Sequence, residues 1–184
     1  MHLLFAFGLT FSVAASWVGA YIVFSRIPRD LAHSISWHSS RTPQTFRIFE
    51  AVLSLNAIIF SAALIVAIGP RLHLPNQVIT FGLFACLAEF VTAHIPDHEG
   101  KSHAYHNLFA YSMSIFMLGM CLTTALADLN PMLRVAGALT ATYMTVAIGL
   151  LALTKLLDSK YLVYQSIYIL SFEVFVLLLA WLPN

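Results

Sequence analysis

Between Glu89 and Asn107 the chain reads EFVTAHIPDHEGKSHAYHN, which gathers His94, His98, His103 and His106 with Glu89, Asp97 and Glu99. Half of the eight histidines fall in this stretch, in a sequence only 9% charged, so its polar groups are scarce and concentrated. Neutral imidazole is the commonest protein ligand for zinc, iron and related metals. Three such ligands on zinc with one open position would activate water near neutral pH, with Glu89 or Asp97 as base. A haem between His94 and His106 ranks below a zinc or iron site, because both histidines lie at the edge of their apolar runs.

Spacing qualifies the metal reading. His94 and His98 stand four apart, which would align two rings on a continuous helix, but Pro96 disfavours helical backbone at Ile95. HIPDH is therefore expected to be a helix end followed by a turn. Ser102 reads as the N-cap of the next helix, which puts His103 and His106 side by side in its first turn. The plainer alternative to a metal site is a set of interfacial histidines that cap helices or titrate there.

A second chemistry comes from the basic residues. His33, His38, Arg41, Arg47 and Lys101, with Glu50, are expected on the same membrane face as the histidine stretch. A cytoplasmic leaflet is rich in anionic lipid, and each basic group near it contributes about 1 kcal/mol of attraction. The ordinary bias of Lys and Arg toward the cytoplasmic side accounts for the arginines equally well, but it does not require Glu50 and Glu89 inside apolar runs.

The elements that must position these residues follow from hydropathy. A mean hydropathy of +0.84 with 60% hydrophobic residues describes an integral membrane protein, expected in a plasma (inner) membrane. Six apolar runs, about 2–24, 46–69, 77–95, 103–127, 132–154 and 161–182, predict an all-α bundle of six transmembrane helices over residues 1–184, one domain. The first run lacks the Lys or Arg of a secretory signal and is expected to be retained as a span. Arg26, Arg29, Arg41, Arg47, Lys101, Lys155 and Lys160 flank the odd-numbered loops, against Arg71 and Arg134 on the other side, so both termini are expected to be non-cytoplasmic.

Other features exclude or narrow. A net charge of +1 without basic runs gives no reason to expect nucleic acid. Cys86 and Cys121 lack redox or metal spacing and read as small buried hydrophobes. Ala15 with Gly19, and Gly137 with Ala141, read as helix seams, and Tyr161, Tyr164 and Tyr168 as an aromatic belt. Glu50, Glu89 and Glu173 must face the bundle or be protonated, since a charge near the bilayer centre costs about 2.5 kcal/mol or more. Asn56 and Tyr143 are the candidate partners of Glu173, and Gln165 is expected to face inward or to lipid.

Two segments carry a family resemblance. SISWHSSRTPQTFRIFEAVLSLNA, Ser34 to Ala57, resembles the first loop and second span of the six-span DRAM/FRAG/SFK membrane proteins. AEFVTAHIPDHEGKSHAYHNLFAYSMSIF, Ala88 to Phe116, is similar to their third-to-fourth helix junction. Trp37, His38 and Ser39 depart from the acidic residue and Thr-Gly usual there. The resemblance implies a lipid-linked membrane role, with His103 or His106 matching the family's fourth-helix histidine and Pro43, Phe46 and Asn56 as scaffold positions.

Together these readings predict a six-helix bundle whose first and third loops build a polar cytoplasmic cavity that recognises or handles a lipid headgroup. The alternatives are a membrane metalloenzyme, hydrolase or oxidoreductase, with His94, His98, His103 and His106 as ligands, and an accessory subunit of a larger membrane complex. Membrane lipids are the expected partners, with a homo-oligomer or a larger complex the assembly they would join.

Overall fold

A computed structural model describes residues 2–98, 100–154 and 160–182; Glu99, Lys155, Asp158 and Ser159 lie outside the described residues. Among those described there is no strand. Six helices are long and apolar enough to cross a membrane: α1 (His2–Arg26), α3 (Pro43–Leu72), α4 (Asn76–His94), α5 (Lys101–Leu126), α6 (Pro131–Thr154) and α7 (Tyr161–Trp181). One further short helix, α2 (Ile35–Ser39), lies in the first loop. The six apolar runs of the sequence thus become six helices at nearly their predicted limits, because backbone surrounded by apolar side chains must satisfy its own hydrogen bonds.

Local signals explain the ends. Thr42 and Thr45 form a reciprocal capping box with Pro43 at the first helical position of α3. α4 stops where Ile95, before Pro96, turns extended at φ −109° and ψ 110°. The start of α5 differs from expectation. It begins at Lys101 after Gly100 at φ +89°, and the Ser102 hydroxyl donates to the Pro96 carbonyl at 2.6 Å instead of capping. Glycine at Gly100 takes a left-handed backbone that a side chain would strain, so the turn frees Ser102 to tie its own start. Within α3, residues Leu64–Ile68 widen to a π-turn just before Pro70, which cannot donate to the preceding turn and whose ring crowds it.

The spans pack as a closed ring in the order α1, α3, α4, α5, α6, α7, back to α1. Short connections make consecutive spans antiparallel neighbours. Phe60 of α3 meets Phe172 of α7 edge-on at 6.1 Å across the interior, and Met120, Met144 and Phe175 are fully buried. The outer faces carry Phe11, Ile58, Phe84, Ile115, Leu126 and Leu139, all exposed. A Cβ on Gly137 would lie 2.8 Å from the Cys121 carbonyl oxygen and 3.0 Å from the Ala125 nitrogen, so α5 and α6 touch backbone to backbone there. A Cβ on Gly19 would come within 3.1 Å of Val52, so the seam reading holds for both small-residue pairs.

A second sequence expectation, besides the Ser102 cap, is overturned here. Tyr168 does not belong to an aromatic belt: it is 3% exposed, and its hydroxyl donates to the Ser114 carbonyl of α5 at 2.6 Å. Spacing that puts tyrosines on one face is equally consistent with that face turning inward, and burial of a tyrosine requires the partner it finds.

Candidate functional site

The first and third loops meet through Asp97. The hydroxyls of Ser34 and Ser36 each donate to its Oδ2 at 3.0 Å, His103 Nδ1 bonds its Oδ1 at 2.6 Å, and its own N–H donates to Ser40 Oγ at 2.8 Å. Burial pushes the Asp97 carboxyl up, but the bond from His103, the nearby His106 ring and the two serine hydroxyls outweigh it and hold the group below its ordinary value. α2 is tied to the rest as well: the Ile35 N–H donates to Gln165 Oε1 at 2.8 Å, and Thr45 Oγ1 donates to the Ser39 carbonyl at 2.7 Å. Asp97 therefore serves as a latch rather than as a free base.

The six histidines on this face are spent separately. His38 is completely buried; its Nδ1 donates to the Ser34 carbonyl at 2.7 Å and its Nε2 accepts the Asp30 N–H at 2.9 Å. A carbonyl can only accept and an N–H can only donate, so the ring is a neutral clamp on the first loop. His33 stacks on Trp37 at 3.8 Å, and its Nδ1 lies 2.9 Å from the Asp30 carboxylate. His94 bonds the Phe90 carbonyl and lies 3.6 Å from Glu50, His98 is exposed, and His106 donates Nδ1 to the Ile95 carbonyl at 2.6 Å. The predicted ligand set of His94, His98, His103 and His106 is thus not assembled. Among the described residues no three His, Cys, Asp or Glu side chains stand together to hold a metal ion. Local carbonyls and Asp97 claim the rings first, because Pro96 turns the chain away between the two pairs.

The basic groups also sit apart. Arg41 lies over the Trp37 ring at 3.4 Å, forming with His33 a stack of three on the outer surface of the first loop. Lys101 is exposed at the start of α5. Arg26 and Arg47 line a shallow surface groove between the end of α1 and the start of α3, together with Ile48 and Ala51.

Beneath the loops lies an interior cavity of about 130 Å³, bounded by α1, α2, α3, α4, α5 and α7. It differs from the cavity expected between the first and third loops: no third-loop residue lines it, and its ionisable lining is acidic and imidazole instead of arginine-rich. Among the described residues no Lys or Arg lines it; Glu89 and Glu173 do, at 5% and 6% exposure. Asn56 donates to Glu89 Oε1 at 3.0 Å and accepts from the Ser12 hydroxyl at 3.0 Å, while the Trp17 indole donates to Glu173 Oε2 at 2.6 Å. Glu173 is thus partnered by Trp17, and Asn56 belongs to Glu89; Tyr143 is exposed and takes no part. Cys86 and Cys121 are buried and free, as their apolar surroundings predicted.

Trp17 and Ser12 are the site residues that sequence reasoning passed over. Each stands alone in an apolar span, where a tryptophan or serine needs no explanation until a carboxyl or amide from another helix is found beside it. Comparisons with protein-family models, curated proteins and solved structures return no match.

Proposed function

We propose that this protein binds an anionic phospholipid headgroup on the face where its first and third loops meet, and that this face is cytoplasmic. The observation that carries the reading is the groove between Arg26 and Arg47. Both arginines are exposed, neither has an acidic partner among the described residues, and the apolar side chains of Ile48 and Ala51 line the groove with them. A guanidinium pair offers fork-shaped donors to a phosphate, and the apolar side chains accept the start of an acyl chain. The DRAM/FRAG/SFK resemblance points the same way, toward a lipid-linked role.

Native mass spectrometry from nanodiscs containing phosphatidylglycerol tests this. Retained anionic lipid should fall roughly 30-fold in apparent affinity for Arg26→Gln/Arg47→Gln, at about 1 kcal/mol per basic group. Arg41→Gln, whose guanidinium is already stacked on Trp37, should change it little. Unchanged retention in the double variant overturns the proposal.

A further inference from the structure

The interior cavity is built unlike the surface groove, and its chemistry calls for a different ligand. Two carboxyl groups line one partly open cavity, with no Lys or Arg among its described lining residues. Each gives one oxygen to the protein, Glu89 Oε1 to Asn56 and Glu173 Oε2 to Trp17, and the other oxygen of each has no partner among the described residues. His106 lines the same cavity at 2% exposure. Its Nδ1 donates to the Ile95 carbonyl, so whenever the ring is neutral its Nε2 is a free acceptor. Among the described residues, the polar side-chain atoms sealed in without a partner are Ser54 Oγ and Arg71 Nε, so the three free acceptors border open space. That space is the cavity.

Unpaired acceptor atoms on two acids, with no Lys or Arg among the described lining residues, suit a cation that carries N–H groups. The remaining walls agree: Trp17, Phe49, Phe60 and Phe172 present aromatic surface, which attracts an ammonium through its ring quadrupole and packs against an alkyl chain. A metal ion would want more convergent donors than these, and the described residues group no three His, Cys, Asp or Glu for one.

We propose that this cavity binds a primary ammonium group, with Glu89, Glu173 and His106 as its acceptors. Its three N–H donors match the three free acceptor atoms, and its charge answers the carboxyl pair. The amine comes either from a free alkylamine or from an ethanolamine lipid headgroup, and the two share this chemistry. The site is independent of the Arg26 and Arg47 groove.

The test is thermal unfolding of the full chain in maltoside detergent, with butylammonium chloride titrated against sodium chloride and tetramethylammonium chloride at equal ionic strength. A saturable rise in Tm with butylammonium, absent with tetramethylammonium, which has no N–H, is the expected result. Glu89→Gln/Glu173→Gln should weaken the apparent Kd by about tenfold or more, as loss of a buried charged partner does. Should that variant fail to give a monodisperse peak, Glu173→Gln alone is read against the same criterion. Native mass spectrometry from nanodiscs separates the sources: carboxyl-dependent retention of phosphatidylethanolamine over phosphatidylcholine assigns a lipid amine, and butylammonium binding without that selectivity assigns a free one. No butylammonium effect beyond that of sodium in the unaltered protein, or an unaltered Kd in the folded variant, overturns the proposal.

Discussion

His38 shows how a histidine that looks reactive in sequence can be wholly structural. Both of its ring nitrogens are engaged by backbone groups in a site with no solvent exposure. Truncating it leaves an N–H and a carbonyl unpaired and opens a void, so His38→Ala should lower stability by about 2–4 kcal/mol. His94 is the contrast: half-exposed, and 3.6 Å from a half-exposed Glu50. His94→Ala should fall within about 0.5 kcal/mol of the parent, because surface pairs of this kind contribute little. Denaturant unfolding in detergent measures both, and equal losses would contradict the assigned roles. Asn56 is the third case at this scale. It joins α1 to α4 through Ser12 and Glu89, and Asn56→Ala should cost about 1–3 kcal/mol by stranding the buried carboxyl.

Between elements, Asp97 and Gly137 carry the separable predictions. Asp97 fastens the α2 segment to the third loop through three hydrogen bonds, with Ser34, Ser36 and Ser40, and a fourth joins it to His103 of α5. Its carboxyl is held below its ordinary value of 3.8, so its contribution is complete above that value and is lost as pH falls through the lower folded one. The junction should stay intact at neutral and mildly acidic pH and loosen only in stronger acid. Hydrogen exchange of the Trp37 and Ser40 amides reports it, and Asp97→Asn should show the loosened pattern already at pH 7. At the α5 and α6 seam, Gly137→Ala drives a methyl against backbone and should cost about 1–3 kcal/mol. Gly149→Ala, on the same helix with nothing within 4 Å, should be neutral or slightly stabilising. A reversal of that order would show that the two helices do not touch at Gly137.

For the whole molecule, the ring of six antiparallel spans puts the first and third loops at one end and the α5 to α6 turn at the other. In the orientation proposed from the Lys and Arg distribution, the first of these ends is cytoplasmic. Cys86 and Cys121 are buried, so cysteines introduced on the surface can be labelled above a low background. Arg29→Cys and His98→Cys should react with an impermeant maleimide from the cytoplasmic side, and Asn130→Cys only from the opposite side. Labelling of Arg29→Cys and Asn130→Cys from the same side would rule out the ring topology itself.

The span count, the helix limits, the stop before Pro96 and the small-residue seams were all legible in the sequence, because each depends on residues near one another in the chain. Apolar runs, a proline, or a glycine four residues from an alanine act through their own stretch of backbone. The histidine stretch was legible as a concentration of polar groups but not as a site. Whether four rings converge depends on which carbonyls lie within reach once Pro96 has turned the chain, and those carbonyls claimed the rings. The cavity's acidic character likewise depended on packing. Glu89 and Glu173 are 84 positions apart, and only closure of the ring through α7 brings both, with Trp17 from α1, around one space. Sequence placed the polar residues on helices; the tertiary structure decided which faces turned inward, and with that which ionisable groups share the interior cavity.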